Sequence, residues 1–359
     1  MASVCRIWSW FFDVSNPNDP KLRRWLHPTC ALAFNAGLAL VVAVAAFLAA
    51  PSEFHELWLQ RQTPAVAHFA QHLTDWATSV GLVSSPAFQW LRRTAAALLL
   101  PQELMFDRKQ AFALYTWDKG SIDPKSLGIF LAVYVALMLA SRLYEKGAMM
   151  LYDAAWACNL SLALTALALW LNIPLLVSAC SCWVAVDQLL WYVDSLSFVV
   201  RGRFLVGVAK YLANKDTPWT KKLFSTHHLW FIPFTTFVNL KYADGHSPCC
   251  LSVSMFLSLM CVLGSRCCTP YAVCHPEPST RSKAEDSRRD VKPEKSSTDV
   301  LNVNVSWRCW ADVTHHLPFL GMFDDKPWYM FVVWNQLIWG LGNCFLFGLF
   351  LTASNLLRH

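Results

Sequence analysis

The sequence predicts an all-α integral membrane protein, a polytopic bundle of about seven transmembrane helices. Of its 359 residues, 55% are hydrophobic and 15% are charged, whereas an ordinary soluble domain is about 25% charged. Eighteen tryptophans and nine tyrosines are typical of the same class, because amphipathic rings favour the membrane–water interface. Apolar runs of roughly the length that crosses a bilayer recur along the chain.

Each predicted span is a run of about 20 mainly apolar residues, which a helix needs to cross the hydrocarbon core. The seven runs are residues 30–50, 127–144, 154–171, 173–200, 223–240, 249–268 and 328–357. The run at 127–144 is the weakest, because it is short and carries Arg142 near its end. The run at 30–50 has no small-residue cleavage site, so we expect it to remain as an anchor.

Two long connections separate these runs. Residues 51–126 form a predicted non-cytoplasmic loop, with apolar pieces that are too short to span and either lie along the interface as helices or pack on the bundle. Residues 269–300 are rich in Ser, Pro, Lys, Arg and Asp, which predicts a disordered cytoplasmic insertion. Residues 1–29 then form a cytoplasmic N-terminal segment and residues 301–327 a cytoplasmic loop, while residues 127–268 form the core of spans two to six.

The placement of Lys and Arg predicts the orientation, since positively charged short loops stay in the cytoplasm. One side collects most of the basic residues, whereas the opposite short loops hold little beyond Lys241. We therefore expect the N-terminus and residues 269–300 in the cytoplasm and His359 on the other side. A protease site introduced at Glu285 should be cut only from the cytoplasmic side. Glycosylation of Asn304, in the sequence Asn-Val-Ser, would contradict this topology.

Two similar stretches, FSTHHLWFIP at 224–233 and DVTHHLPFLG at 312–321, raise the question of a membrane metal centre. Histidine-based di-iron enzymes of membranes need many histidines at helical spacing, and neither stretch extends to His-x-x-His-His. The sequence therefore favours coincidence over a shared metal.

A different pattern places His68 and His72 four residues apart on a predicted helix, with Asp75 following. Such a pair can hold zinc, but Gln71 stands where a metalloprotease needs its glutamate. The pattern favours an amphipathic interfacial helix with exposed histidines. Cysteines inside the apolar runs, such as Cys158, are interpreted as small hydrophobic side chains. We predict no metal site.

Three of the apolar runs carry polar side chains at similar depth. Asp187, Trp191 and Asp194 are four and three residues apart, so they share one helical face. Ionisable groups inside a span are costly unless they face the bundle interior. Asp194 and His228 lie roughly 9 and 8 Å from the cytoplasmic ends of their runs, at about 1.5 Å per residue, and Asn159 lies at a similar depth. These three residues form the predicted catalytic site, in which substitutions of a buried Asp194–His228 pair would be non-additive.

The same segments resemble an uncharacterised family of multi-pass membrane proteins known mainly from bacteria. That family has a Cys-Asn pair followed by Leu-Trp-x-x-Asp, Phe-His-x-x-x-Pro and Asn-x-Asn-Trp segments. The matching residues are Cys158, Asn159, Leu190, Trp191, Asp194, His228, Pro233, Asn302, Asn304 and Trp307. The histidine is doubled here, and Val305 and Ser306 separate Asn304 from Trp307. The resemblance covers roughly residues 150–250 and the Asn-Trp segment, and it implies a shared membrane fold without an activity.

One class of function that fits is a lipid-modifying or redox membrane enzyme. His228 would act as the general base and Asp194 would orient it, since imidazole titrates near neutral pH. A lipid headgroup or small ligand would bind to Arg201, Arg203, Asn304 and Trp307.

A transporter or proton-coupled carrier is the alternative, in which Asp187 and Asp194 would form a proton relay. A membrane scaffold is a third possibility. The expected partner is the lipid bilayer of a membrane that the sequence does not specify. No cofactor follows from the sequence, and we expect no nucleic-acid partner.

Overall fold

A computed structural model describes residues 64–81, 84–86, 89, 123–146, 151–242, 246, 250–269, 272–274, 298–300 and 302–356. Helices dominate this part of the chain, which confirms the predicted helical class. The first predicted span, residues 30–50, and the N-terminal segment, residues 1–29, lie outside the described residues.

The helices are α1 (Pro64–Ser79), α2 (Pro124–Lys146), α3 (Leu151–Ala154), α4 (Ala157–Trp170), α5 (Pro174–Trp183), α6 (Ala185–Arg201), α7 (Trp219–Phe224), α8 (His227–Tyr242), α9 (Cys250–Cys268), α10 (Ala311–His316), α11 (Trp328–Asn335) and α12 (Leu341–Leu356). Short 3-10 turns cover Lys210–Leu212, Val303–Val305 and Pro318–Gly321, and a π-helical turn, Gln336–Gly340, joins α11 to α12. Two strands, β1 (Ala272–Cys274) and β2 (Thr298–Val300), form an antiparallel pair.

Three helical segments among the described residues are long and apolar enough to cross a membrane. They are Pro124–Glu145, Cys250–Cys267 and Trp328–Thr352, and the last includes the π turn. The pair Pro174–Trp183 and Ala185–Arg201, bent by 55°, is a fourth if it counts as one span. The described residues therefore hold three or four candidate spans, and the prediction of seven is not confirmed.

Two of the predicted spans are absent from this count because their helices are too short. The apolar runs at 154–171 and 223–240 form α4, with 14 residues, and α8, with 16 residues. A straight crossing of the hydrocarbon core needs about 20 residues. The run at 173–200 also differs from its prediction as one continuous helix, because it breaks at Val184 between α5 and α6.

Helix α5 occupies the centre of the bundle. It packs against α4, α8, α9 and α12, and nearly all of its side chains are buried. Pro174 starts α5 at a position where the missing N–H has no helical partner to lose. The main apolar core therefore forms around this ten-residue helix.

Helices α2 and α4 pack closely because a glycine lies at their contact. A Cβ atom on Gly128 of α2 would meet the Ala166 carbonyl oxygen of α4 at 2.9 Å. Small residues let helix backbones approach in this way inside membranes. The contact fixes α4 beside the first described span.

The ends of the predicted disordered insertion are held together as strands. Ala272 pairs with Val300 and Cys274 with Thr298. The composition predicts disorder throughout residues 269–300, and the strand pairing of the two ends departs from that prediction. Residues 275–297 lie outside the described residues.

Candidate functional site

The break between α5 and α6 leaves backbone groups without helical partners inside the bundle. The side chain of Asn343, on α12, bonds to both sides of the break: its Nδ2 donates to the Trp183 carbonyl at 2.6 Å, and its Oδ1 accepts from the Val186 N–H at 2.7 Å. Asn343 is 2% exposed. A break of this kind is tolerated in a membrane when a neighbouring helix satisfies the freed groups, and Asn343 has that role here.

A second asparagine supports the start of α4. Asn304 accepts a hydrogen bond from the Ala157 N–H at 2.6 Å and donates to the Ala155 carbonyl at 2.7 Å. It also donates to the Ser265 hydroxyl on α9 at 2.7 Å. Its φ of 56° lies in the left-handed region, which asparagine tolerates better than most residues. The segment around Asn304 is therefore folded back into the bundle.

A third backbone irregularity is the π-helical turn between α11 and α12. Such turns insert a residue into a helix and are frequent at functional sites. A Cβ atom on Gly340 would meet the Gln336 Oε1 and the Met255 Sδ, each at 2.9 Å, so the turn packs tightly on α9. The turn brings Trp339 to the same region as the two helix ends.

These three irregularities meet at one cavity of about 30 Å³. Trp156 and Trp310 lie 6.1 Å apart between ring centres, and Trp310 and Trp339 lie 6.0 Å apart, so indole rings form one wall. Its polar lining comes from Asp187, Ser258, Asn304, Asn335 and Asn343. The volume has room for a water molecule or a small ion and is too small for a lipid headgroup.

Asp187 is the only acidic residue among those that line this cavity. It lies in the first turn of α6, where the helix dipole favours negative charge. Its Oδ1 accepts a hydrogen bond from the Trp339 indole N–H at 3.2 Å. The cavity therefore combines one carboxylate, several amides and a helix N-terminus.

The structure brings only two of the predicted site residues to this cavity, Asp187 and Asn304. Asp194 is fully buried and binds backbone instead, because its oxygens accept from the N–H groups of Val206, Gly207 and Ala209 at 2.7 to 3.1 Å. It makes no hydrogen bond to His228 among the described contacts. Asp194 thus fixes the loop that follows α6.

His228 and Asn159 also lie apart from the cavity. The His228 ring stacks on Trp191 at 4.6 Å, and its Nδ1 lies 3.2 Å from the Gln188 Nε2. Asn159 donates to the Asp153 carbonyl at 2.6 Å and so closes the turn before α4. Asn159, Asp194 and His228 therefore share no hydrogen bond in the described part of the chain.

The predicted headgroup-binding residues separate into two places. Arg201 and Arg203 are exposed at the end of α6. Trp307 is buried, lies under the Arg266 guanidinium at 4.7 Å, and donates to the Thr269 carbonyl at 3.2 Å. Trp307 therefore attaches the Asn304 segment to the end of α9.

The histidines of α1 are exposed, and the interfacial position of this helix stays a prediction. His68 and His72 are both exposed, and their Nε2 atoms lie 3.2 Å apart. Gln71 donates to Asp75 at 3.1 Å. His315 and His316 of the second Thr-His-His-Leu stretch are exposed on α10, far along the chain from the buried pair His227 and His228.

The sequence analysis did not predict three cavity residues on the last candidate span, Asn335, Trp339 and Asn343. A signal was present, because Asn335 and Asn343 are amides inside an apolar run of 328–357. Buried amides in a membrane helix need hydrogen-bond partners on neighbouring helices.

Comparison with known proteins finds no matching family model, no similar curated protein and no similar solved structure.

Proposed function

We propose that this chain is a multi-pass membrane protein of about seven spans that works as a proton-coupled carrier, with Asp187 as the group that binds and releases the proton. The observation that carries this proposal is the position of Asp187, in the first turn of a broken helix and at a polar cavity inside the bundle. Secondary transporters place their sites at the ends of discontinuous helices. An ionisable group inside a membrane bundle costs free energy to bury, so it is a candidate for a functional role.

The small size of the cavity favours a proton over a larger solute as the species that Asp187 binds. A space of about 30 Å³ accommodates the water that a carboxyl needs to exchange its proton. The indole N–H of Trp339 holds one oxygen of Asp187 in place at 3.2 Å.

The geometry gives less support to an enzyme that uses His228 and Asp194, because backbone N–H groups already occupy the Asp194 oxygens. Arg201 and Arg203 remain exposed at the end of α6, and we propose that they bind anionic headgroups of the bilayer. We also propose that the chain shares the membrane fold of the bacterial family that it resembles.

Asp187→Asn should abolish coupled proton uptake and leave the fold intact. An asparagine keeps the shape of the side chain and still accepts from Trp339, but it does not exchange a proton. The measurement uses the full chain reconstituted in vesicles that contain a pH-sensitive dye, with an extract of small metabolites added as the source of solute. Wild-type vesicles should acidify on addition of the extract.

The matched control is Asp216→Asn, because Asp216 is an exposed acid in the loop before α7. This variant should take up protons at the wild-type rate. Equal uptake by the wild type and Asp187→Asn would contradict the proposal.

A further inference from the structure

One thiol and two imidazoles meet where α4 contacts the start of α8, and none of the three lines the cavity around Asp187. Cys158 lies in the first turn of α4, and His227 and His228 begin α8. The Cys158 Sγ and one ring nitrogen of each histidine lie within 4.8 Å of one another. His227 is 3% exposed and His228 is 9% exposed, so protein encloses both imidazoles, while Cys158 is half-buried.

His227 has the hydrogen bond that a metal-binding histidine needs on its far side. Its Nδ1 lies 2.6 Å from the Phe224 carbonyl oxygen and donates a hydrogen bond to it, because a carbonyl can only accept. The lone pair is then on Nε2, and that atom is buried without a hydrogen-bond partner. Metal-binding histidines almost always donate their other N–H to a carbonyl or carboxylate in this way. A bound cation would use the lone pair that is otherwise unsatisfied.

The neighbours of His228 fix its ring and leave a second polar atom unsatisfied. The ring stacks on Trp191 with an angle of 15° between the planes. Gln188 contacts the His228 Nδ1 through its Nε2, while its Oε1 is buried without a partner. Rotation of this amide by half a turn would let His228 donate to Oε1. His228 would then be held by an outer-shell carbonyl, as His227 is.

We infer that Cys158, His227 and His228 bind a zinc ion between α4 and α8. Zinc takes nitrogen and sulfur ligands in a tetrahedral arrangement, and three protein ligands leave a fourth position for water. Zinc lies about 2.3 Å from sulfur and about 2.0 Å from nitrogen, which requires ligand atoms roughly 3.5 Å apart. The present separations of up to 4.8 Å must therefore contract, and this contraction comes mainly from side-chain rotation of Cys158, because Phe224 and Gln188 hold the two histidine rings. This inference is independent of the proton-coupled carrier.

The test is the metal content of the full chain purified in detergent without chelator. The wild type should contain about one zinc ion per chain. After removal of zinc, added Co²⁺ should give the absorption of a cobalt–thiolate bond. Cys158→Ser and His227→Gln should each lower zinc occupancy at least about tenfold, the loss that even an outer-shell change causes. Cys158→Ser should also remove the cobalt–thiolate absorption.

Three control variants separate the site from general effects. Cys180→Ala changes a buried cysteine outside the cluster, and His316→Ala changes an exposed histidine; both should retain zinc. Asp187→Asn should also retain zinc, so failure of the carrier proposal leaves this result unaffected. A wild-type protein with neither zinc nor a cobalt–thiolate absorption, with bound copper in place of zinc, or with zinc that survives both ligand substitutions, would overturn the inference.

Discussion

Asp194→Ala should lower the free energy of unfolding by at least about 3 kcal/mol. The substitution removes the acceptor for three backbone N–H groups, those of Val206, Gly207 and Ala209; Asp194 and Ala209 are buried, and Val206 and Gly207 are half-buried. Each buried donor left without a partner costs about 1–3 kcal/mol. Gly207 has a φ of 104°, which glycine adopts at little cost and other residues rarely adopt. Chemical denaturation of detergent-purified variants measures the loss.

The control for Asp194 is Asp216→Ala, at an exposed position, which should stay within about 0.5 kcal/mol of the wild type. Asp194→Ala and His228→Ala should have nearly additive effects, because the two side chains share no hydrogen-bond partner in the described contacts. A double variant that loses much less than the sum would show that the two residues interact, as the sequence predicts. It would contradict the structural role given to Asp194 here.

Asn343→Ala should also cause a large loss, lowering the free energy of unfolding by about 2–6 kcal/mol. It leaves the Trp183 carbonyl and the Val186 N–H unpaired inside the bundle, and each such group costs about 1–3 kcal/mol. The α5–α6 break should then loosen, so proton uptake through Asp187 should fall together with stability. Thermal unfolding in detergent and vesicle uptake, measured on the same preparation, test both effects.

Thr352→Ala is the matched control on the same helix. Thr352 is exposed and its hydroxyl bonds within α12, to the Gly348 carbonyl at 2.9 Å. This variant should unfold within about 0.5 kcal/mol of the wild type. If Asn343→Ala is as stable as Thr352→Ala, the asparagine does not support the helix break.

The sequence predicts the helical class and most of the apolar helices, because hydrophobic side chains accumulate wherever a helix contacts lipid or core. It does not predict the break at Val184, since the flanking residues Trp183 and Ala185 are ordinary helical residues. The break is stabilised by Asn343, which lies about 160 positions later in the chain. A contact at that separation leaves no trace in local periodicity.

The candidate site was predictable only in part for a related reason. Asp187 is evident from the cost of a carboxylate in an apolar run, and Asn304 from the resemblance to the bacterial family. Similar depth along neighbouring helices does not imply contact, because depth gives no information on which face a side chain occupies. Asp194 and His228 lie at similar depth, yet the first binds a loop and the second stacks on Trp191.

The cluster of Cys158, His227 and His228 also forms only through tertiary contacts. Cys158 and the His227–His228 pair are about 70 positions apart in the chain, so no local spacing relates them. The two Thr-His-His-Leu stretches are alike in letters but differ in burial, since His227 and His228 are enclosed while His315 and His316 are exposed. Burial and the unpaired Nε2 of His227 distinguish them.

The central claim is that Asp187 exchanges a proton inside the bundle, and infrared spectroscopy of the reconstituted protein tests it most directly. Spectra recorded while the pH is changed detect the carbonyl stretch of a protonated carboxyl, and Asp187→Asn removes that group without changing its shape. We predict that the wild type shows a pH-dependent carboxyl band that Asp187→Asn lacks and Asp216→Asn retains. An identical band in the wild type and Asp187→Asn, across the range in which both are folded, would contradict the account.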